Sequence, residues 1–174
     1  MLGGANGFTG LEPELGGALR PPVDMRLWRE LLSRDYRRIC RAADEIGGQG
    51  ERNRYIDALA EVARPAQGKN RFPNRQRRSA LEALSVISEP NNITALDAIL
   101  KALKDSSWEI RQYAAWALGR LGDLRATEAL IKALNDESPY VRQVAADALQ
   151  HFGTGRARAA LDTFWGRAQD RTLS

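Results

Sequence analysis

Two stretches decide how this chain is read: residues 105–130, DSSWEIRQYAAWALGRLGDLRATEAL, and residues 136–161, DESPYVRQVAADALQHFGTGRARAAL. At an offset of 31, the windows 100–130 and 131–161 that contain them are identical at 16 of 31 positions, where ordinary composition would give about two. The shared residues fall where a helical hairpin needs them. Ser107 and Ser138 stand as N-cap residues, and Pro139 follows at the first helical position, where a missing donor costs nothing. Ala114, Ala115 and Ala117 are small enough to let helices approach closely, while Ile110, Leu118 and Leu121 form a buried stripe. Gly122 and Gly153 end that helix in left-handed geometry. Asp123 and Thr154 then cap a second helix, which in the first of these copies buries Ala126, Ala129, Leu130, Ala133 and Leu134.

A hairpin of this size cannot bury its apolar face alone and must stack on copies of itself. A shift back by another 31 residues keeps Ala83, Ala95 and Ala98, together with the apolar pairs Leu84/Ala115, Ile87/Leu118, Ile93/Leu124 and Ile99/Leu130, as a degenerate first copy. A fourth copy begins and stops at Phe164 and Trp165, bulky residues read as a lid over the last layer. Ahead of the repeats, Trp28, Leu31, Leu32, Tyr36, Ile39, Ala43 and Ile46 recur at helical spacing, which predicts one helix from Val23 to Ile46 ended by Gly47 and Gly48. Tyr55, Ile56, Leu59 and Val62 predict a second, from about Arg52 to Ala63, stopped by Pro65. No strand-like alternation occurs. The expected fold class is all-α, a short α-solenoid of helical hairpins with N-terminal capping helices. Its organisation reads as a Gly/Pro-rich tail over 1–22, a capping hairpin over 23–68, a basic loop and helix start over 69–78, and repeats with a C-terminal cap over 79–174.

With one Cys in 174 residues the chain is no disulfide scaffold, and a 43% hydrophobic content at this length supports a core of its own. The formal charge of +4 is unevenly placed: 69–78 carry +5, whereas 79–174 carry −1. The excess is therefore a patch, Lys69, Arg71, Arg75, Arg77 and Arg78, rather than a basic surface. No apolar run approaches the length of a membrane span, and the N-terminus has neither the basic nor the apolar region of a secretory signal, so the expected location is the cytosol.

The pattern Asp-x-Ser-x-x-Ile-Arg-x-x-Ala-Ala-x-Ala-Leu-Gly-x-Leu-Gly-Asp-x-x-Ala-x-x-x-Leu at 105–130 resembles the HEAT-like repeats of phycobilin lyases and phycobilisome-associated proteins, over about 78–166. The same repeat type serves general interaction scaffolds and a family of DNA glycosylases. The resemblance implies a HEAT-like fold. It also implies a phycobiliprotein or a second HEAT-like subunit as partner, a bilin as transient ligand, and, if the chain is an enzyme at all, the role of a bilin lyase subunit. Isomerising members of that group carry a His/Cys motif that has no counterpart here, since Cys40 and His151 are far apart in the chain.

From the residues themselves no catalytic constellation emerges: there is no metalloprotease helix, nucleophile elbow or phosphate-cradling glycine loop, and no metal-ligand spacing. Arg111 and Arg142, with Asp105 and Asp136, recur at one period and read as an inter-repeat ladder of ion pairs. The expected function is that of a non-catalytic adaptor gripping a protein partner through its concave face, with the aromatics near 113–116 and the basic segment as secondary contacts. Trp108, Tyr113 and Trp116 are candidate contact aromatics; Trp116, in the slot of Asp147, either faces solvent or folds over the groove to a neighbouring helix. Asp97, Lys101, Glu128, Lys132 and Arg158 form a mixed-sign ladder on the second helices, along the concave side, which suits a protein better than nucleic-acid phosphates. Asn74 is the expected N-cap of the first repeat helix, which puts Arg75, Arg77 and Arg78 in its opening turn, the unfavourable end of the helix dipole for cations. The basic run is then either solvated or matched by an acidic protein surface, a bilin propionate or a phosphate.

Overall fold

Asp24 starts the first helix: its carboxylate accepts from the backbone N–H of Arg26 at 2.7 Å and of Leu27 at 3.3 Å, and α1 runs over Met25–Leu31. The computed structural model describes residues 24–65 and 72–172. The Gly/Pro-rich stretch 1–22, and Lys69 and Arg71 of the basic run, lie outside the described residues. After α1 the chain turns. The Ser33 hydroxyl accepts from the Asp35 N–H, and the Asp35 carboxylate caps α2, Tyr36–Glu45, through the Arg37 N–H at 2.9 Å. The single helix expected from Val23 to Ile46 is therefore two. Ser33 and Asp35 offer the backbone local partners that a helix interior does not, while Leu31, Leu32 and Tyr36 keep a helical spacing across the break. The third helix, α3, occupies Gln49–Ala63 and ends just before Pro65.

Three hairpins follow. In the first, α4 (Asn74–Ile87) leads to α5 (Ile93–Ala102). In the second, α6 (Trp108–Leu121) leads through a 3-10 turn, Leu124–Ala126, into α7 (Thr127–Ala133). The third pairs α8 (Pro139–Phe152) with α9 (Gly155–Thr172). The first helices α4, α6 and α8 pack in a row, α5 and α7 lie mainly against the first helix of the following hairpin, α9 lies against α8, and α3 closes the near end on α4 and α5. The fold is an all-α solenoid with no strand among the described residues. Leu81, Leu84, Ile99, Ile110, Leu118, Leu130, Val141 and Leu149 form its continuous core, each burial contributing about 1.5–3 kcal/mol.

The register of the first hairpin differs from the one expected. Its second helix aligns with α7 at the offset of 31, but α4 aligns with α6 at 34, so that Arg77, Ala80, Ala83 and Leu84 match Arg111, Ala114, Ala117 and Leu118. The loop 88–92 is three residues longer than the Gly122–Asp123 link and absorbs the difference. Ile93 and Leu124, equivalent apolar residues at the starts of the second helices, are both exposed.

Glycines do two separate jobs here. Gly122, at φ 70°, and its counterpart Gly153, at φ 62°, end α6 and α8 in the left-handed conformation. Gly119 instead permits a close approach: a Cβ there would stand 2.9 Å from the Cβ of Ala148 and 3.3 Å from its Cα. The expected lid at the far end is partial, with Phe164 half-buried and Trp165 exposed, edge to face at 4.9 Å.

Candidate interaction site

The turns that join the hairpins are built around Asp105 and Asp136. Each side chain accepts from the backbone N–H two residues on, of Ser107 and Ser138 respectively, at 2.9 Å. The two serines are the N-cap residues, but their hydroxyls make no cap bond; the aspartates instead fix the serines' own N–H groups in the turn. The same carboxylates also receive an arginine from the preceding hairpin. Arg111 donates Nε and a terminal nitrogen to Asp136 at 2.8 and 2.9 Å, reaches Glu137 at 2.8 Å, and anchors its other terminal nitrogen on the carbonyls of Asp105 and Ser106. Hydrogen bonding to Asp136 pushes the Arg111 pKa up against the effect of burial, and Glu137 adds to it. On Asp136, burial acts upward, but the Arg111 hydrogen bond and the Ser138 N–H outweigh it and hold the carboxyl below its ordinary value.

The equivalent arginine of the first hairpin is Arg77. It lies fully inside, paired with Asp105, and its Nε donates to the Arg64 carbonyl at 3.0 Å. Arg77 thus leaves the basic surface patch expected for it: the three-residue insertion places it on the ladder, where an unpaired guanidinium would be very costly and a paired one locks α4 to the next turn. Arg142 repeats only part of the motif, donating to the carbonyls of Asp136 and Glu137 at 2.8 and 3.0 Å.

Arg75 and Arg78 do reach the surface, and a further arginine joins them. Arg34 from the α1–α2 turn, Asn74, Arg75 and Arg78 from the start of α4, and Trp108, Glu109, Ile110, Gln112 and Tyr113 from the start of α6 line one open groove of about 400 Å³. None of the three arginines forms an ion pair with a described residue. The Arg78 guanidinium sits 4.8 Å above the Tyr113 ring, and its Nε is buried without a hydrogen-bond partner. Helix α4 begins at Asn74, one residue earlier than expected. Pro73 is its N-cap, without a side-chain cap, and no acidic residue stands in its first turn. Cations there are opposed by the dipole by roughly 0.3–1 kcal/mol each when unscreened. Nearby, burial pushes the Glu82 carboxyl up from its ordinary value, against the attraction of Arg78 and Arg120.

Along the same edge Trp108, exposed, stacks on exposed Tyr140 of α8 with centroids 5.2 Å apart and planes at 27°. Trp116 is half-buried against the core, and Arg120 lies 5.3 Å from its ring and 5.0 Å from that of Tyr36. That guanidinium, hydrogen-bonded to the Tyr36 hydroxyl, ties α2 to α6, so Trp116 is part of a brace. The second-helix ladder is exposed, but much of it is matched internally: Lys101 pairs with Asp97 at 2.6 Å, and Glu128 with Arg156 at 2.7 Å. Lys132 and Arg158 are exposed.

The structure thus brings Trp108 and Tyr113 together with Arg75 and Arg78, and keeps them apart from Asp97, Lys101 and Glu128. It adds Arg34, Glu109, Gln112 and Tyr140, which no sequence argument had selected. Tyr140, an aromatic in the opening turn of a first helix like Trp108, carried a usable signal; Arg34 did not. Among the described residues no three His, Cys, Asp or Glu side chains are placed to hold a metal ion, and no helix is long and apolar enough to cross a membrane.

No curated protein matches the chain. Residues 96–173, from within α5 onward, match the family model of HEAT repeats, so this part of the α-solenoid, which holds the second and third hairpins, is similar to HEAT repeats.

Proposed function

We propose that the protein is a non-catalytic HEAT-like adaptor that binds a protein partner along the edge formed by the starts of α4, α6 and α8. The observation that carries this reading is the exposed Trp108–Tyr140 stack beside the groove. Large, rigid, exposed aromatics are the side chains that dominate binding energy at protein interfaces, and here the ion-pair ladder joins the hairpins that carry them. The second helices offer less, because pairing within Asp97–Lys101 and Glu128–Arg156 must be surrendered before either charge meets a partner. Their mixed signs also disfavour a nucleic acid, which asks for uniform positive charge.

The resemblance to phycobilisome-associated repeats narrows the proposal: the partner is a phycobiliprotein or a second HEAT-like subunit, with a bilin as transient ligand whose propionates would meet Arg75 and Arg78. Light scattering on size-exclusion fractions of the protein isolated from its own cells tests the adaptor reading. The expected result is a complex whose yield falls strongly when Trp108→Ala and Tyr140→Ala are combined; a persistent monomer overturns it. Mixing with a bilin and an apo-phycobiliprotein tests the narrower version, since a bound bilin changes its absorbance spectrum and an unchanged spectrum with no binding of either removes it.

A further inference from the structure

Three arginines line one groove, Arg34, Arg75 and Arg78, and although Glu109 shares its wall, no described residue forms an ion pair with any of the three. Arg26, Arg38, Arg64, Arg77, Arg111, Arg125 and Arg156 each hold an acidic partner within 4 Å, while the groove gathers three arginines that do not. Arg75 also stands in the first turn of α4, where the dipole repels cations and where an acidic residue would have been favoured, and Arg78 follows just beyond it. The buried Nε of Arg78 has no partner at all, although the Tyr113 ring holds the guanidinium plane in place. Such a constellation is stable as it stands but is completed by an anion, because an oxyanion accepts from several guanidinium donors at once and relieves their mutual repulsion.

The shape of the groove restricts the anion. It is open, about 400 Å³, and walled on one side by Trp108 and Tyr113, with the Trp108–Tyr140 stack continuing along the edge. A small inorganic anion would leave these rings idle. A nucleic acid needs positive charge along a track, whereas Glu109 stands in the groove wall and the neighbouring second helices pair their own charges. An extended peptide uses both features, with anionic side chains on the arginines and its apolar or aromatic side chains across Trp108 and Tyr113.

We infer that the groove between the α1–α2 turn and the starts of α4 and α6 is a recognition site for an acidic peptide segment of the partner, its anionic groups held by Arg34, Arg75 and Arg78. The inference rests on the adaptor reading and names the chemistry of its partner. The anions are carboxylates or phosphate esters, which share the bidentate geometry that guanidinium recognises.

Fluorescence anisotropy with a labelled peptide of sequence Glu-Asp-Glu-Tyr-Glu-Asp, its serine phosphopeptide analogue, and a lysine-substituted control tests this on the full chain. The acidic peptides are expected to bind and the lysine peptide not to; whichever acidic peptide binds more tightly identifies the anion. Arg75→Glu with Arg78→Glu should weaken binding roughly tenfold or more, the loss of charge-assisted hydrogen bonds, while Arg75→Lys with Arg78→Lys retains part of it. Glutamate at position 75 is favoured in the first turn of α4, and unchanged helical circular dichroism and melting temperature of the double variant separate lost recognition from lost folding. Equal binding by the glutamate variant, or tighter binding of a single-stranded oligonucleotide than of either acidic peptide, overturns the inference. Failure here with the Trp108→Ala, Tyr140→Ala effect on complex yield intact removes the acidic-peptide site and leaves the adaptor standing; loss of that effect as well removes both.

Discussion

At the scale of single residues, the ladder arginines and aspartates carry the largest stakes. Arg77 and Asp105 are both buried at the side chain to 2% exposure, so removing either leaves an uncompensated charge inside. Arg77→Ala is expected to cost about 3–5 kcal/mol in urea unfolding, and a paired replacement of both residues by apolar side chains far less. Arg111 and Asp136, more open, should cost less when broken. Their pH behaviour follows from sign. Asp136 and Asp123 both have carboxyl pKa values below the ordinary one: in Asp123 the Arg125 hydrogen bond prevails over burial, and in Asp136 Arg111 and the Ser138 N–H do. A depressed carboxyl binds fewer protons folded than unfolded, so its stabilisation is complete above the ordinary carboxylate pKa and disappears as pH falls through the depressed value. The urea midpoint is therefore expected to drop on acidification through the carboxylate range, and Asp136→Asn to flatten that drop. A midpoint that falls just as steeply in the variant would refute the assignment to this group.

Elements add constraints that no single side chain states. Helices α6 and α8 meet where Gly119 faces Ala148, and Gly119→Val would drive branched atoms into a backbone 3.3 Å from even a bare Cβ. A loss of roughly 1–3 kcal/mol is expected from the overpacking, measured by thermal unfolding. The left-handed Gly122 differs: Gly122→Ala should cost about 1–2 kcal/mol through backbone strain alone, with the hairpin packing unchanged. Both glycines were visible in the sequence, but only Gly122 announced its task, because a helix stop recurs at the repeat period whereas a close approach depends on the neighbouring helix. Ser107 and Ser138 do stand at the N-cap positions, but without the cap bond expected of them: each donates its own N–H to the aspartate two residues earlier, and the Ser107 hydroxyl accepts from the Asn74 amide. The division of α1 from α2 was hidden by Leu31, Leu32 and Tyr36, whose spacing satisfies a straight helix and a turn alike.

For the whole molecule, the apolar core runs without interruption from Leu27 and Trp28 in α1 to Leu161 in α9. Capping helices and repeats share that core, and Arg120 braces them from outside through Tyr36. They are expected to unfold as one unit. In a variant keeping Trp28 as the sole tryptophan, its fluorescence and the helical circular dichroism should report one urea midpoint; separate midpoints would mean that the N-terminal helices melt independently. The solenoid and its repeat type were legible because identity at 16 of 31 positions survives any uncertainty about side-chain direction. The groove was legible only in parts: Arg75, Arg78, Trp108 and Tyr113 were each marked, yet Arg34 comes from a turn that the helical spacing concealed, and one fixed offset assigned Arg77 to the surface.

The five-residue link 88–92 makes the period of this array elastic. Its three extra residues lie between α4 and α5, while Arg77 and Asp105 still meet across the same hairpin, so chain length at this point is uncoupled from the stacking of layers. Glu89, Pro90 and Asn91 are exposed there and none lines the groove. The link is thus the natural place to insert a fluorescent label or an affinity handle, or to splice in a longer segment, with both the ladder and the recognition edge left in register.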